Sequence, residues 1–266
     1  MNNLITNFEQ ILTFAQGTGI PLTKKRGVIR EYLQIKLIDL IYTQVLSKKL
    51  SFVGGTALRL LRGIDRFSED LDFDNLGLSE RQIAGLVMEA VEKFKRENIE
   101  VELTRQEKET RTCFQLKFPR LLFDLKVSAN EREKLMIKID YSSLWKEQQP
   151  ETIFLHQYGM VQSVVTNPIN QLLVQKLAAY TLRETTQPRD AYDVVWLYAQ
   201  GARLDRTFMA KNKLEDLVIR AGEKLKREGI SSNFRQRLKP FLFSEDSCRK
   251  LNLIADVLEI LRVDYG

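Results

Sequence analysis

SFVGGTALRLLRGIDRFSEDLDFDN, residues 51–75, holds three local structures in succession. Ser51, Phe52 and Val53 form a short apolar strand that stops at Gly54-Gly55, where the missing side chains permit a tight turn and close approach of backbone to a ligand. Ala57, Leu58, Leu60 and Leu61 have the spacing of a short helix, so Gly55 and the Thr56 hydroxyl lie at its start. Free backbone N–H groups and the helix dipole favour phosphate there. Farther on, Leu71 and Phe73 alternate with Asp70, Asp72 and Asp74, the period of a strand with one apolar and one acidic face. Carboxylates two residues apart on a strand stand about 6.6–7 Å from one another, and they repel unless a cation lies among them. Oxygen ligands suit Mg2+ or Mn2+, hard cations that also bridge to substrate phosphates. The run therefore reads as a nucleotide-handling metal site, against the plainer alternative of an acidic sheet edge. A calcium loop counted from Asp70 fails, because Asn75 and Arg81 stand where it needs glycine and glutamate. Asp74 suits the loop before the next helix better and is left out of the site.

GGTALRLLRGIDRFSEDLDF resembles the motif of the AbiEii-type nucleotidyltransferase toxins, a branch of the polymerase-beta-like nucleotidyltransferase superfamily. The superfamily pattern is a Gly-Gly or Gly-Ser turn, then Asp-x-Asp, then a third Asp on a later strand. Gly54, Gly55 and Thr56 match the turn, with threonine for the commoner serine, and Asp70 and Asp72 match the pair. The interval from Thr56 to Asp70 is long for the superfamily but suits this branch.

The chain has 266 residues, 44% hydrophobic and 29% charged, as in an ordinary globular protein. Cys113 and Cys248 cannot build a disulfide framework, and with His156 as the only histidine the sequence argues against a zinc enzyme and a Ser-His or Cys-His hydrolase. Metal chemistry must rest on carboxylates. No apolar run approaches the roughly 18–20 residues that span a bilayer, and MNNLITNFEQ lacks the features of a secretory signal, so a cytoplasmic location is expected. The net charge is +6, and between Arg220 and Lys239 seven basic residues face two acids. That stretch reads equally as a solvated helical face or a nucleic-acid surface.

Apolar periodicity predicts a helix over residues 4–16 and another over about 25–47. Ser79 caps a further helix containing Ile83 to Phe94. Strands are expected at Ile99 to Leu103, Thr112 to Phe118 and Leu135 to Tyr141, the first two joined through QEKETR as a hairpin. In the third, Met136, Lys138 and Asp140 face away from Ile137 and Ile139, which makes Asp140 the candidate third acid. The resemblance implies that Asp140 also activates the attacking hydroxyl; capping a turn into Ser142-Ser143 is the alternative.

Beyond residue 165 the pattern is helical, with a boundary expected near Asn167-Pro168 and Thr185 or Thr186 capping a helix that opens at Pro188. NPINQLLVQKLAAYTLRETTQPRDAYDVVWL again resembles the AbiEii-type family, with Lys176, Arg189, Asp190 and Asp193 matching its Lys and Arg-Asp-x-x-Asp. The resemblance places these four at the nucleotide. Read without it, Asp190 and Asp193 are acids favoured by a helix dipole, paired with Arg189. The expected fold is α+β: a nucleotidyltransferase-type mixed sheet flanked by helices over residues 1–166, then a helical domain over residues 167–266. The resemblance implies a Mg2+- or Mn2+-dependent enzyme that moves a nucleoside monophosphate from an NTP to an acceptor hydroxyl. It further implies tRNA as acceptor, a toxin role and a cognate antitoxin; no membrane partner is expected, given the lack of a long apolar run. Transfer to a protein or small molecule is the competing enzyme reading. A catalytically silent nucleotide-binding module is disfavoured, since it has no reason to keep mutually repelling acids.

Overall fold

The computed structural model describes residues 3–108 and 111–265. It comprises two units: one is the chain up to Arg62 with Phe67–Leu144 and Thr152–Thr166, and the other is Gly63–Arg66, Trp145–Glu151 and the chain from Asn167 onward.

The first unit opens with α1 (Asn3–Thr6), α2 (Phe8–Gly17) and α3 (Lys25–Tyr42). α3 ends earlier than the apolar pattern suggests, because Thr43 Oγ1 and Gln44 Nε2 donate back to the Leu40 carbonyl and the chain passes into a 3-10 turn, Val45–Lys49. β1 (Leu50–Val53), α4 (Gly54–Arg62), β2 (Leu71–Asn75) and α5 (Glu80–Arg96) follow. Ser79 and Gln82 form a reciprocal capping box on α5. β3 (Glu102–Lys108) and β4 (Arg111–Phe118) make the hairpin, longer than expected, with Glu109 and Thr110 of its tip outside the described residues. The short α6 (Leu121–Asp124) leads to β5 (Leu135–Ser142). β6 (Glu151–Gln157) and β7 (Met160–Thr166) form a second hairpin, closed by Tyr158 and Gly159 with φ of 50° and 75°, as a tight two-residue turn requires. His156 is exposed on β6.

The main sheet has the order β1-β2-β5-β4-β3, with β2 and β5 parallel and the other pairs antiparallel. Alternation in β5 is strict: Leu135, Ile137, Ile139 and Tyr141 are buried, and the residues between them are partly open. Phe52 and Phe73 are cross-strand partners with ring centroids 5.3 Å apart, and Phe94 of α5 meets Phe118 edge-on at 5.6 Å.

In the second unit, α7 (Ile169–Leu182) and α8 (Pro188–Ala199) pack together, and α9 (Arg206–Lys211), α10 (Leu217–Glu228), α11 (Ser232–Leu238) and α12 (Ile254–Tyr265) follow. Gln187, not a threonine, precedes Pro188 at the start of α8, and the Thr186 hydroxyl donates instead to Glu228 at 2.5 Å. The division after Thr166 coincides with the composition shift, but two earlier segments also belong to the helical unit. Trp145 stacks on Phe208 at 5.3 Å, and the Gln149 N–H donates to Gln171 at 3.2 Å. Arg66 is 1% exposed and donates to both oxygens of Asp193, at 2.7 and 2.6 Å.

Burial alone would raise the Asp193 carboxyl, yet Arg66 and Lys176 hold it below the usual carboxylate range. Its contribution to stability is therefore complete above the unfolded-chain value of about 3.9 and is lost as pH falls toward its lower folded value. Removing one partner of a buried pair costs about 3–5 kcal/mol, so Arg66→Met should lower the urea midpoint at pH 7 sharply. The wild-type midpoint should drop below about pH 4, where this carboxylate protonates in the unfolded chain while the folded one is still held ionised; a midpoint unchanged by the substitution would show that the pair adds nothing.

Candidate active site

α4 starts at Gly54, directly after β1, and Gly54 has φ of +77°. A Cβ there would stand 2.2 Å from Asp72 Oδ2, so the turn backbone lies against the Asp72 carboxylate with no room for a side chain. The N–H groups of Gly54, Gly55 and Thr56 occupy the first turn of α4, as phosphate binding at a helix start requires. Thr56 is buried, however, and its hydroxyl donates to the Asp70 carbonyl at 2.5 Å; what it can offer a ligand is its backbone.

Asp72 and Asp140 are register partners on the parallel strands β2 and β5. Asp70 immediately precedes β2, and Asp70, Asp72 and Asp140 are all partly open to solvent. Cys113 of β4 is the register partner of Asp140 on its other side. Burial raises its thiol to about 11, and the charge and hydrogen bond of Asp140 and the charge of Asp70 add to the shift. The thiol thus stays protonated and marks a point near which both acids lie. Among the described residues no three His, Cys, Asp or Glu side chains stand together as a ready-made cage for an ion. An all-oxygen set of this kind fits Mg2+, which commonly takes one or two carboxylates and fills its remaining positions with water and substrate phosphates. Asp74 differs from expectation: it is buried within β2, and the loop that follows is held by Asn75, whose Oδ1 accepts from Gly77 and Leu78 N–H.

The remaining expected residues lie in the helical unit. Lys176 pairs with Asp193 at 2.8 Å and Asp190 at 3.4 Å, and Arg183 pairs with Asp190 at 2.6 Å. Arg189 lies over the Phe241 ring at 4.3 Å. The structure thus brings Lys176, Asp190 and Asp193 together, with Arg66 as a further member. Sequence reasoning missed Arg66, along with neighbouring Asp65, which accepts from Tyr192 at 2.6 Å, Ser247 at 2.8 Å and Lys250 at 2.8 Å. Single residues in a loop carry no periodicity that could announce such partners.

The protein-family model described as "Nucleotidyl transferase AbiEii toxin, Type IV TA system" matches residues 37–260. The chain belongs to this family. Membership makes it a nucleotidyltransferase of the AbiEii toxin type, which implies an NTP substrate and an antitoxin counterpart. Among solved structures, MenT4, a nucleotidyltransferase toxin from Mycobacterium tuberculosis H37Rv, is 16% identical with a TM-score of 0.56, over 97% of this chain and 91% of that one. JHP933 from Helicobacter pylori is 18% identical with a TM-score of 0.54, over 91% of this chain and 95% of that one. At such identities the likeness concerns the fold. No curated protein matches the chain. No helix among the described residues is long and apolar enough to cross a membrane.

The basic stretch of this AbiEii-family chain is more internally engaged than its charge count suggests. Lys224 is buried and donates to the Thr181 and Arg183 carbonyls at the end of α7, at 3.3 and 2.6 Å. Lys239 pairs with Glu245 at 2.7 Å, and Arg237 donates to the Thr186 carbonyl at 3.3 Å.

Gly54 and Gly63 separate backbone freedom from space at the site. Both have positive φ, 77° and 82°, but a Cβ at Gly63 would meet nothing within 4 Å. Either alanine should cost about 1–2 kcal/mol of backbone strain, measurable by thermal unfolding. Only Gly54→Ala should also abolish nucleotidyl transfer, by displacing Asp72; equal activity in the two variants would remove Gly54 from the site.

Proposed function

We propose that this chain transfers a nucleoside monophosphate from an NTP to a hydroxyl of tRNA with the help of a divalent cation, and that Asp70, Asp72 and Asp140 carry the chemistry. The observation behind this reading is the Asp72–Asp140 register pair, with the Asp72 carboxylate lying against the Gly54 turn. The acceptor oxygen forms a bond to the α-phosphorus, the bond from that phosphorus to the β-phosphate oxygen breaks, and pyrophosphate leaves with the electron pair. The acceptor proton passes to Asp140, an anionic oxygen suited to general-base work. The N–H groups of Gly54, Gly55 and Thr56 receive the terminal phosphates. Asp70, Asp72 and Asp140 would hold Mg2+ or Mn2+, which when bound neutralises charge on the phosphate oxygens and the leaving group. Lys176, Arg189, Asp190 and Asp193 are placed outside the chemical step, because Lys176 and both acids have charge partners within the helical unit.

The net charge of +6 supports a polyanionic acceptor. The engagement of Lys224, Arg237 and Lys239 limits how far the basic stretch adds to that support.

Incubation with each α-labelled NTP, Mg2+ and total cellular RNA tests both substrate and acceptor. Label should enter tRNA with wild-type protein and be lost with Asp72→Asn or Asp140→Asn. Both variants should unfold in chelator at or above the wild-type temperature, because one repelling charge is gone. Label entering protein instead would replace tRNA as acceptor; full activity in either variant would remove the carboxylates from the mechanism.

A further inference from the structure

The chain between α4 and β2 has no regular secondary structure at residues 67–70, yet it delivers Asp70 and sets the start of the strand carrying Asp72. Three consecutive carbonyls in it are each held by a buried side chain. Gln34 Nε2 donates to the Ser68 carbonyl at 3.2 Å and the Glu69 carbonyl at 3.0 Å, and Thr56 Oγ1 donates to the Asp70 carbonyl at 2.5 Å. Gln34 is 2% exposed and Thr56 is 1% exposed. Buried donors of this kind are costly to leave unpaired, so each strongly favours the one backbone path that satisfies it.

The same face of α3 holds this segment at further points. Gly27, Arg30, Glu31 and Gln34 follow the i, i+3, i+4, i+7 spacing of one helical stripe. A Cβ on Gly27 would stand 2.7 Å from the Phe67 ring, so the ring lies directly on the α3 backbone. Arg30 pairs with Glu69 at 3.1 Å. Glu31, itself 2% exposed, accepts from Arg59 of α4 at 2.9 and 3.1 Å. One stripe therefore grips both the helix that follows the glycine turn and the run that leads into the acids.

We propose that Gln34 is a positioning residue for the carboxylates: it fixes the path of residues 68–70 so that Asp70 and Asp72 meet the cation and substrate in one arrangement. This rests on the cation-dependent reading above, in which Gln34 itself touches neither substrate nor ion. Partners behind a metal's direct ligands, when removed, commonly cost about 10–100-fold in metal affinity or activity.

The test measures Mn2+ affinity by electron paramagnetic resonance without nucleotide, the kcat and KM of transfer, and thermal unfolding in chelator. Gln34→Met keeps the side-chain length and removes the donor. It should weaken Mn2+ binding by about 10–100-fold and lower kcat more than it raises the KM for NTP. Gly27→Ala reaches the same segment through Phe67 without removing a hydrogen bond, should change Mn2+ affinity in the same direction, and decides the matter if Gln34→Met does not fold. Gln44→Met is the control: its side chain donates to the Leu40 and Leu86 carbonyls, at 3.2 and 3.0 Å, so it removes similar bonds elsewhere and should leave Mn2+ affinity unchanged. A folded Gln34→Met with wild-type Mn2+ affinity and kcat overturns the proposal while the cation-dependent reading stands, and so does a wild-type Gly27→Ala should Gln34→Met not fold. A wild-type protein that neither binds Mn2+ nor transfers nucleotide overturns both.

Discussion

Asp72 and Asp140 lie side by side on parallel strands, and two carboxylates so placed repel each other in any state of the protein that lacks a cation between them. The sheet must hold them in spite of that. It does so with apolar contacts nearby, where Leu71, Phe73, Ile137 and Ile139 are buried and Phe73 meets its cross-strand partner Phe52. The glycine turn adds a constraint, since its backbone approaches the Asp72 carboxylate more closely than any side chain would allow. In the proposed function the sheet, the bare turn and the first turn of α4 are where phosphate and a hard cation would meet.

The acids of the helical unit show the opposite solution. Asp193 is fully buried and meets Arg66 and Lys176, while Asp190 meets Lys176 and Arg183. Arg66 and Lys176 hold Asp193 ionised despite its burial, and carboxylates already matched by cations gain little from an added one. The two groups of acids look alike in sequence, as short Asp-rich motifs, and they differ in setting: Asp72 stands beside Asp140 and against the Gly54 turn, whereas Asp190 and Asp193 are buried in ion pairs of the helical unit. That difference is why the proposed chemistry rests on Asp70, Asp72 and Asp140.

Much of the first unit was legible because it follows strict periods. Alternation located β2 and β5, the double glycine located the turn into α4, and Ser79 with Gln82 located the start of α5. Features set by distant partners were not legible. Arg66 is one residue in a loop, and its partner lies 127 positions away. Thr186 looked like a helix cap because threonine often is one, but Glu228 takes its hydroxyl. The basic stretch from Arg220 to Lys239 read as a charged surface because charge can be counted in sequence, whereas burial of Lys224 against the end of α7 cannot. Gln34 was hidden for the same reason: a polar residue on an apolar helix shows no sign of which carbonyls it serves.

The proposed metal–nucleotide site is the pair of acids beside the glycine turn. A crystal grown with Mn2+ and an NTP analogue that cannot be cleaved between its α- and β-phosphates tests it most directly, through the anomalous signal of manganese. Manganese should be bound by Asp72 and Asp140, with the terminal phosphates at the first turn of α4. Manganese and nucleotide bound elsewhere, with Asp72 and Asp140 unliganded, would contradict it.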